Sequence, residues 1–295
     1  MSTITSPIEV TMHLRTLLGD HPSTAALKHG SVKSDSVTLD FVAYSPTNKG
    51  FRPMVRDGAF DVSEMAIVTY LMAKSVGKPM VLLPSVVVAR FQHAYAVYRA
   101  ELGTLKPRDL EGKCVGIRSF TTTTGAWLRG ILANDYGVDL NSINWVTFED
   151  AHVAEFRDTT ERAPQGKQII QMLLDGELDA VLGEKVERPD LKLLFADPVA
   201  EQKAWFAKHD VVPINHMVVV SEKLSNTQPE AVREVFRMLR ESAALAPTPL
   251  GVPQFSADEM SRSLAMISEY TAQQGLIPRA FTVDELFDDL TRTLR

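Results

Sequence analysis

Short runs rich in Val, Ile and Leu alternate along the chain with longer segments of helical period, a pattern that points to an α/β architecture with largely parallel sheets. Strands are predicted at Ile8–Arg15, Val37–Tyr44, Phe60–Val62, Pro79–Val88, Cys114–Ile117, Ile143–Phe148, Leu178–Leu182, Lys192–Phe195 and Pro213–Ser221. Helices are predicted between them at Ser23–His29, Phe51–Asp57, Glu64–Val76, Thr123–Tyr136, Gly166–Leu174 and Val199–Lys208. A nearly all-helical tail follows: Pro229–Ala246, Ala257–Gln274 and Val283–Leu294. The polar stretch Gly103–Gly112, with one proline and two glycines, interrupts the alternation and reads as entry into a second unit. The apolar strand at 213–221 then carries the chain back. The expected organisation is a first lobe from 1–103 and 211–295, interrupted by a second from 104–210, with a cleft between them.

Thirty-one basic against 37 acidic residues give a net charge of −6, and no run of Lys or Arg builds a basic patch, so nucleic acid is not an expected partner. The longest apolar stretches, such as Pro79–Val88, fall far short of the ~20 residues that cross a bilayer, so no membrane span is expected. The first residues, Met1 to Pro7, have neither the charge nor the apolar run of a secretory signal, and Cys114 is the one cysteine. A reducing cytoplasm is the expected compartment. Cys114 itself, inside an apolar strand, reads as a small buried hydrophobe. A homo-oligomer stays open.

Ligands of open α/β sheets bind where strands run into helix N-termini, and that rule selects the candidate positions. Gly116–Trp127 follows a strand and opens a helix; Ser119 and the four threonines Thr121, Thr122, Thr123 and Thr124 supply hydroxyls, and Arg118 a fixed positive charge. An anion suits such a segment. One threonine would suffice as a cap; four and an arginine exceed that need. In Phe60–Ala66, Ser63 is expected to cap the next helix with Glu64 in its first turn, or else Glu64 is a cleft carboxylate that accepts a proton or orients a histidine. His93 follows the Val-rich strand in Arg90-Phe-Gln-His93, and His216 stands at the return crossing in Pro213-Ile-Asn-His216. Each alone reads as a structural histidine; both near the crossings make a proton-transferring pair. His13, His29, His152 and His209 have no comparable context.

The motifs of zinc peptidases, P-loop enzymes, serine hydrolases and dinucleotide-binding folds are absent. Scattered His and Glu residues leave a divalent metal open.

Taken in order, Phe-Asp-Val-Ser-Glu-Met (60–65), Arg-Phe-Gln-His (90–93), Leu-Glu-Gly-Lys-Cys-Val-Gly-Ile (110–117), the helix 127–138, Pro-Ile-Asn-His (213–216), and the segments 270–279 and 282–287 resemble the 4,5-dihydroxyphthalate decarboxylase family, from Thr24 to Leu290. The resemblance implies a type II periplasmic-binding-protein-like fold used as an enzyme, which removes a carboxylate from a dihydroxylated benzene dicarboxylate without an organic cofactor. It carries Glu64, Arg90, His93 and His216 over as matching positions; for such a decarboxylation His93 or His216 is the expected general acid, Glu64 or the other histidine the base, and Arg90 with Arg118 the clamp on the carboxylates. Two loops depart from the family pattern. His21-Pro-Ser-Thr24 stands in place of Tyr-Asp-Arg-Thr, and Ser119-Phe-Thr121 in place of Glu-Tyr-Gln, which makes His21 and Ser119 candidates for setting the substrate. The alternative is a non-catalytic solute-binding or ligand-sensing protein for a small aromatic carboxylate.

Overall fold

The computed structural model describes residues 11–247 and 257–294. Eleven strands lie among these residues: β1 (Met12–Leu17), β2 (Val37–Phe41), β3 (Val62–Ala66), β4 (Met80–Ala89), β5 (Ala96–Arg99), β6 (Cys114–Ile117), β7 (Asn144–Thr147), β8 (Glu161–Arg162), β9 (Ala180–Leu182), β10 (Leu191–Leu193) and β11 (Ile214–Ser221). They form two sheets. One has the order β2-β1-β3-β11-β4, the other β10-β5-β9-β6-β7-β8. The first sheet thus takes its strands from before residue 90 and after residue 213 and the second from between them; β5, which the expected boundary at 103 places in the first lobe, belongs to the second sheet, so the chain crosses over directly after β4. Predicted residues 8–10 of the first strand lie outside the described residues.

The sheets are mixed rather than largely parallel. The strands β1, β2 and β3, and likewise β6, β7, β8 and β9, pair in parallel. Strands next to the crossings run antiparallel: β11 against β3 and β4, and β5 against β9 and β10. The Val-rich strand β4 is not a fully buried strand but the edge of its sheet. Met80–Leu83 are buried, and beyond Pro84 the strand is only half-buried; a proline that cannot donate to a ladder is tolerated at an edge.

Two crossings join the lobes, one after Ala89 and one before Ile214, and they are bonded to each other. Arg90 N–H donates to Pro213 O at 3.0 Å, and Gln92 Nε2 donates to Arg90 O at 2.7 Å and to Asn215 Oδ1 at 2.8 Å. Away from the crossings, the second lobe also grips the first through its loop at 150–152. Arg56 Nε and Nη2 donate to the carbonyls of His152 (3.0 Å) and Ala151 (3.1 Å), and Arg52 Nη2 to that of Asp150 (3.3 Å).

The helix Thr123–Tyr136 matches its predicted bounds and ends on Gly137 in the left-handed conformation (φ 66°), which only glycine adopts without cost. It forms the interface between lobes. Trp127 is fully buried and donates Nε1–H to Ile214 O at 2.9 Å. Gly130 lets the C-terminal helix Ala257–Gln273 approach so closely that a Cβ there would meet the Tyr270 ring at 1.9 Å. The helix Pro229–Ala244 buries Val232, Val235, Phe236 and Leu239 at helical spacing against the core that includes Leu14, Leu39 and Val81. The predicted terminal helix 283–294 is instead two short 3-10 turns, Asp284–Leu286 and Thr291–Thr293. Asp288 Oδ1 accepts from Thr291 N–H at 2.7 Å and breaks the helix between them. Among the described residues no helix is long and apolar enough to cross a membrane.

Candidate active site

The cleft between the lobes holds a cavity of about 380 Å³, a volume suited to a single-ring ligand. Its most unusual feature is Glu64. The predicted helix starting at Glu64 in fact begins at Ile67, and Val62–Ala66 is a strand buried along its whole length. Ser63 is therefore no cap; its hydroxyl bonds Glu64 O. Glu64 sits in mid-sheet between β1 and β11, fully buried.

A carboxylate in that position needs partners, and three donors reach it. His216 Nδ1 lies 2.6 Å from Oε1, His21 Nε2 lies 3.0 Å from Oε2, and Gly19 N–H donates to Oε2 at 2.8 Å. Burial alone would raise the Glu64 carboxyl. Hydrogen bonds and charge from His21 and His216 overcome it and hold the group well below the usual carboxylate range. An ionised carboxylate only accepts, so His216 carries its proton on Nδ1 and His21 on Nε2. The Nε2 of His216 and the Nδ1 of His21 are then the atoms left to exchange protons with a ligand.

The local sequence explains the geometry. Ala66 pairs with His216 and Glu64 with Val218 across antiparallel strands, so Glu64 and His216 are diagonal neighbours on one face. Register shifts at Ile214–Met217 aim both Asn215 and His216 at the cavity, where a regular strand would send successive residues to opposite faces. Gly19 leaves the space His21 needs: a Cβ there would stand 2.6 Å from His21 Nε2 and 2.9 Å from Glu64 Oε2.

The residues expected to bind an anion share the cavity with this triad: Arg118, Ser119, Thr121, Thr122, Thr123, Thr124 and Arg90 all line it, as does His21 of the triad itself. Arg90 has no carboxylate partner among the described residues; its Nη2 donates to Thr124 Oγ1 at 3.1 Å and its guanidinium lies over the Tyr95 ring at 4.6 Å. Arg118 is near Glu149, at 3.8 Å. Thr123 Oγ1 is occupied otherwise, accepting from Val68 N–H at 3.2 Å.

His93 is not in the cleft. It is 1% exposed, its ring meets Phe195 and Trp205 edge-on, and neither ring nitrogen has a partner. Burial pushes its imidazole below the ordinary value, so it is a neutral residue packed behind the crossing rather than a proton donor in the site. His93→Phe is expected to leave turnover and substrate affinity little changed and to hold or raise the melting temperature, because the ring keeps its contacts and loses two orphaned nitrogens. Steady-state kinetics with a thermal melt checks both.

His152 and Glu184 are among the cavity residues that escaped the sequence reading. His152 is carried by the 150–152 loop, bonds Thr69 Oγ1 through Nδ1 at 3.0 Å, and meets Phe51 edge-on. Burial, then the charges of Arg118, Arg52 and Arg56, push it down to about 4, so it is neutral at pH 7. Glu184 follows β9; burial raises its carboxyl, with Arg118 opposing and Glu149 adding to the shift. Neither carries a local sequence signal. Cys114 is only half-buried, and burial raises its thiol. Among the described residues no group of three or more His, Cys, Asp or Glu side chains is arranged to hold a metal ion.

No family profile matches the chain. A 4,5-dihydroxyphthalate decarboxylase from Comamonas testosteroni is 26% identical over 296 residues, covering 92% of this chain and 89% of that one. A second, from Pseudomonas putida, is 26% identical over 211 residues, covering 66% of this chain and 81% of its own. The resemblance read from the ordered motifs is borne out. Solved structures similar in fold are the alkanesulfonate-binding protein SsuA from Xanthomonas axonopodis bound to MOPS (TM-score 0.56, 12% identity, 95% of this chain and 99% of that one) and the periplasmic sulfonate-binding protein SsuA from Methylobacillus flagellatus (TM-score 0.57, 10% identity, 97% and 94%). The architecture is thus the two-lobed periplasmic-binding-protein-like fold.

The depressed Glu64 carboxyl also predicts an acid limb. Its folded value lies below the ordinary 4.5, so its contribution to stability is complete above pH 4.5 and is lost as pH falls below it. Chemical denaturation across pH 3–6 is expected to show that loss in the wild type and a flatter limb in Glu64→Gln.

Proposed function

We propose that the chain is a decarboxylase of a hydroxylated, phthalate-like aromatic carboxylate, working without an organic cofactor. The observation that carries this reading is the buried Glu64 carboxylate held between His21 and His216 at the cavity wall. Capturing an anion needs the hydroxyl loop and the arginines; it has no use for a buried anion that fixes two imidazoles.

Loss of carbon dioxide straight from an aromatic ring would leave an aryl anion in the ring plane. Protonation of the carboxyl-bearing carbon first avoids it. One imidazole takes the proton of a ring hydroxyl, and the electron pair on that oxygen feeds the ring; a protonated imidazole delivers a proton to the carboxyl-bearing carbon. The bond to the carboxylate then breaks, its electron pair restores the aromatic ring and the charge on the ring oxygen, carbon dioxide leaves, and that oxygen takes its proton back from the first imidazole. In sum one proton replaces one carboxylate. His216 and His21 are the proton-transferring pair, Glu64 orients both, and Arg90 and Arg118 with the threonine hydroxyls seat the carboxylates. This reading moves to His21 the proton-transferring role that the sequence leads one to expect of His93.

A binding or sensing protein is the second reading, and the sulfonate-binding proteins of similar fold favour it. Purified protein incubated with 4,5-dihydroxyphthalate separates the two. Carbon dioxide release at the rate of dihydroxybenzoate formation supports the enzyme; tight binding with no release supports the sensor.

A further inference from the structure

Arg129 has no place in the cavity wall, yet it is a fully buried cation on the helix whose N-terminus faces the cavity. No carboxylate pairs with it among the described residues. Its Nη2 donates to Phe120 O at 2.6 Å, its Nε to Gln274 Oε1 at 2.8 Å, and its guanidinium lies 3.9 Å from the Phe120 ring centre. Burial pulls the guanidinium down to about 9, so it is charged at neutral pH. The remaining donor, Nη1, has no partner. Burying a cation without an anion is costly, and two neutral acceptors with a ring face do not complete its hydrogen bonding.

The orphaned donor has an orphaned counterpart. Thr122 is the N-cap residue of the same helix, but its hydroxyl makes no capping bond, is buried, and has no partner. Both atoms border the space left by Gly125: a Cβ there would stand 2.8 Å from Thr122 Oγ1 and 3.1 Å from Arg129 Nη1. Thr122 lines the cavity. The carbonyl that Arg129 holds belongs to Phe120, between Ser119 and Thr121, which line it as well.

We propose that Arg129 is the buried counter-charge of the anion seat, acting as a positioning residue through Thr122 and the Phe120 carbonyl on a carboxylate bound at the threonine loop. The cation lacks an anion because the substrate supplies it. This rests on the cleft reading above. A bound carboxylate accepts from Thr122 Oγ1–H while that oxygen accepts from Arg129 Nη1–H, and a charge in a low-dielectric interior is screened far less than one in water.

The test uses phthalate, which lacks the hydroxyls the proposed chemistry requires and so reports binding alone. Arg129→Met is expected to melt at or above the wild-type temperature, as replacements of buried charges by apolar groups do, and to bind phthalate roughly 10-fold to 100-fold more weakly, the range of a lost hydrogen bond to a charged group. Arg129→Lys is expected to recover most of the affinity. Unchanged affinity in the Met variant, or a Lys variant no better than it, overturns the proposal. If the Met variant does not fold, Arg129→Gln carries the comparison, and a chain that folds with neither makes the guanidinium a structural necessity and overturns it too. Wild-type protein that binds phthalate but releases no carbon dioxide from 4,5-dihydroxyphthalate removes the decarboxylase reading and leaves this one; wild-type protein that binds no phthalate removes both.

Discussion

His216→Ala is expected to lower kcat by on the order of 10²–10⁴-fold, the range for removing a general acid or base, with a much smaller change in substrate affinity. The imidazole is fixed by the 2.6 Å bond from Nδ1 to Glu64 and by the edge of Phe51 at 5.3 Å, so its loss removes a proton-transferring atom without disturbing the arginines. Glu64→Gln is expected to act in the same direction through both histidines. A neutral amide offers one acceptor oxygen and an NH₂ that cannot receive an N–H, so one imidazole must turn or change tautomer. Steady-state kinetics of both variants, with binding measured separately, decides the matter. Near-normal turnover in well-folded His216→Ala protein removes the imidazole from the mechanism.

The largest expected effect on stability is at Trp127. Trp127→Ala is expected to cost ~3–5 kcal/mol, the range for removing a fully buried aromatic side chain, read by urea denaturation. The indole packs edge-on against Trp205 (6.3 Å) and Tyr270 (5.7 Å) and bonds the first carbonyl of β11. Its removal opens a cavity where the second-lobe helix, the return crossing and the C-terminal helix meet, and it takes the indole N–H from the Ile214 carbonyl. Trp127→Phe separates the two contributions, since it keeps most of the ring volume and loses only the hydrogen bond.

The fold was legible wherever a helix or strand carried its own period and its own stop. The helices Phe51–Asp57 and Thr123–Tyr136 match their predicted bounds, each closed by a left-handed glycine. Glu64 was misplaced onto a helix because Val62–Ala73 is one buried run in which strand passes into helix with no turn residue between. Periodicity cannot separate the two when every face is buried. The place of Arg118, Ser119 and Thr121–Thr124 in the cavity wall was legible because a strand, a hydroxyl-rich loop and a helix start lie next to one another in sequence. His93 was misread for the complementary reason: being near a crossing does not say on which side of it a ring packs. His21 stood out only through its departure from the family pattern, and its bond to Glu64 is between residues 43 apart. His152 and Glu184 reach the cavity through tertiary placement of irregular loops, which no local pattern encodes.

The grip of Arg52 and Arg56 on the loop at 150–152 has an evolutionary corollary. Both arginines bind carbonyl oxygens, which every amino acid possesses. These three bonds would survive a change of side chain at Asp150, Ala151 or His152 in descendants of this chain. Of the three residues of this loop only His152 lines the cavity and bonds Thr69 through its ring, so a change of side chain there would reshape the cavity wall while the backbone hold of Arg52 and Arg56 on the loop persists.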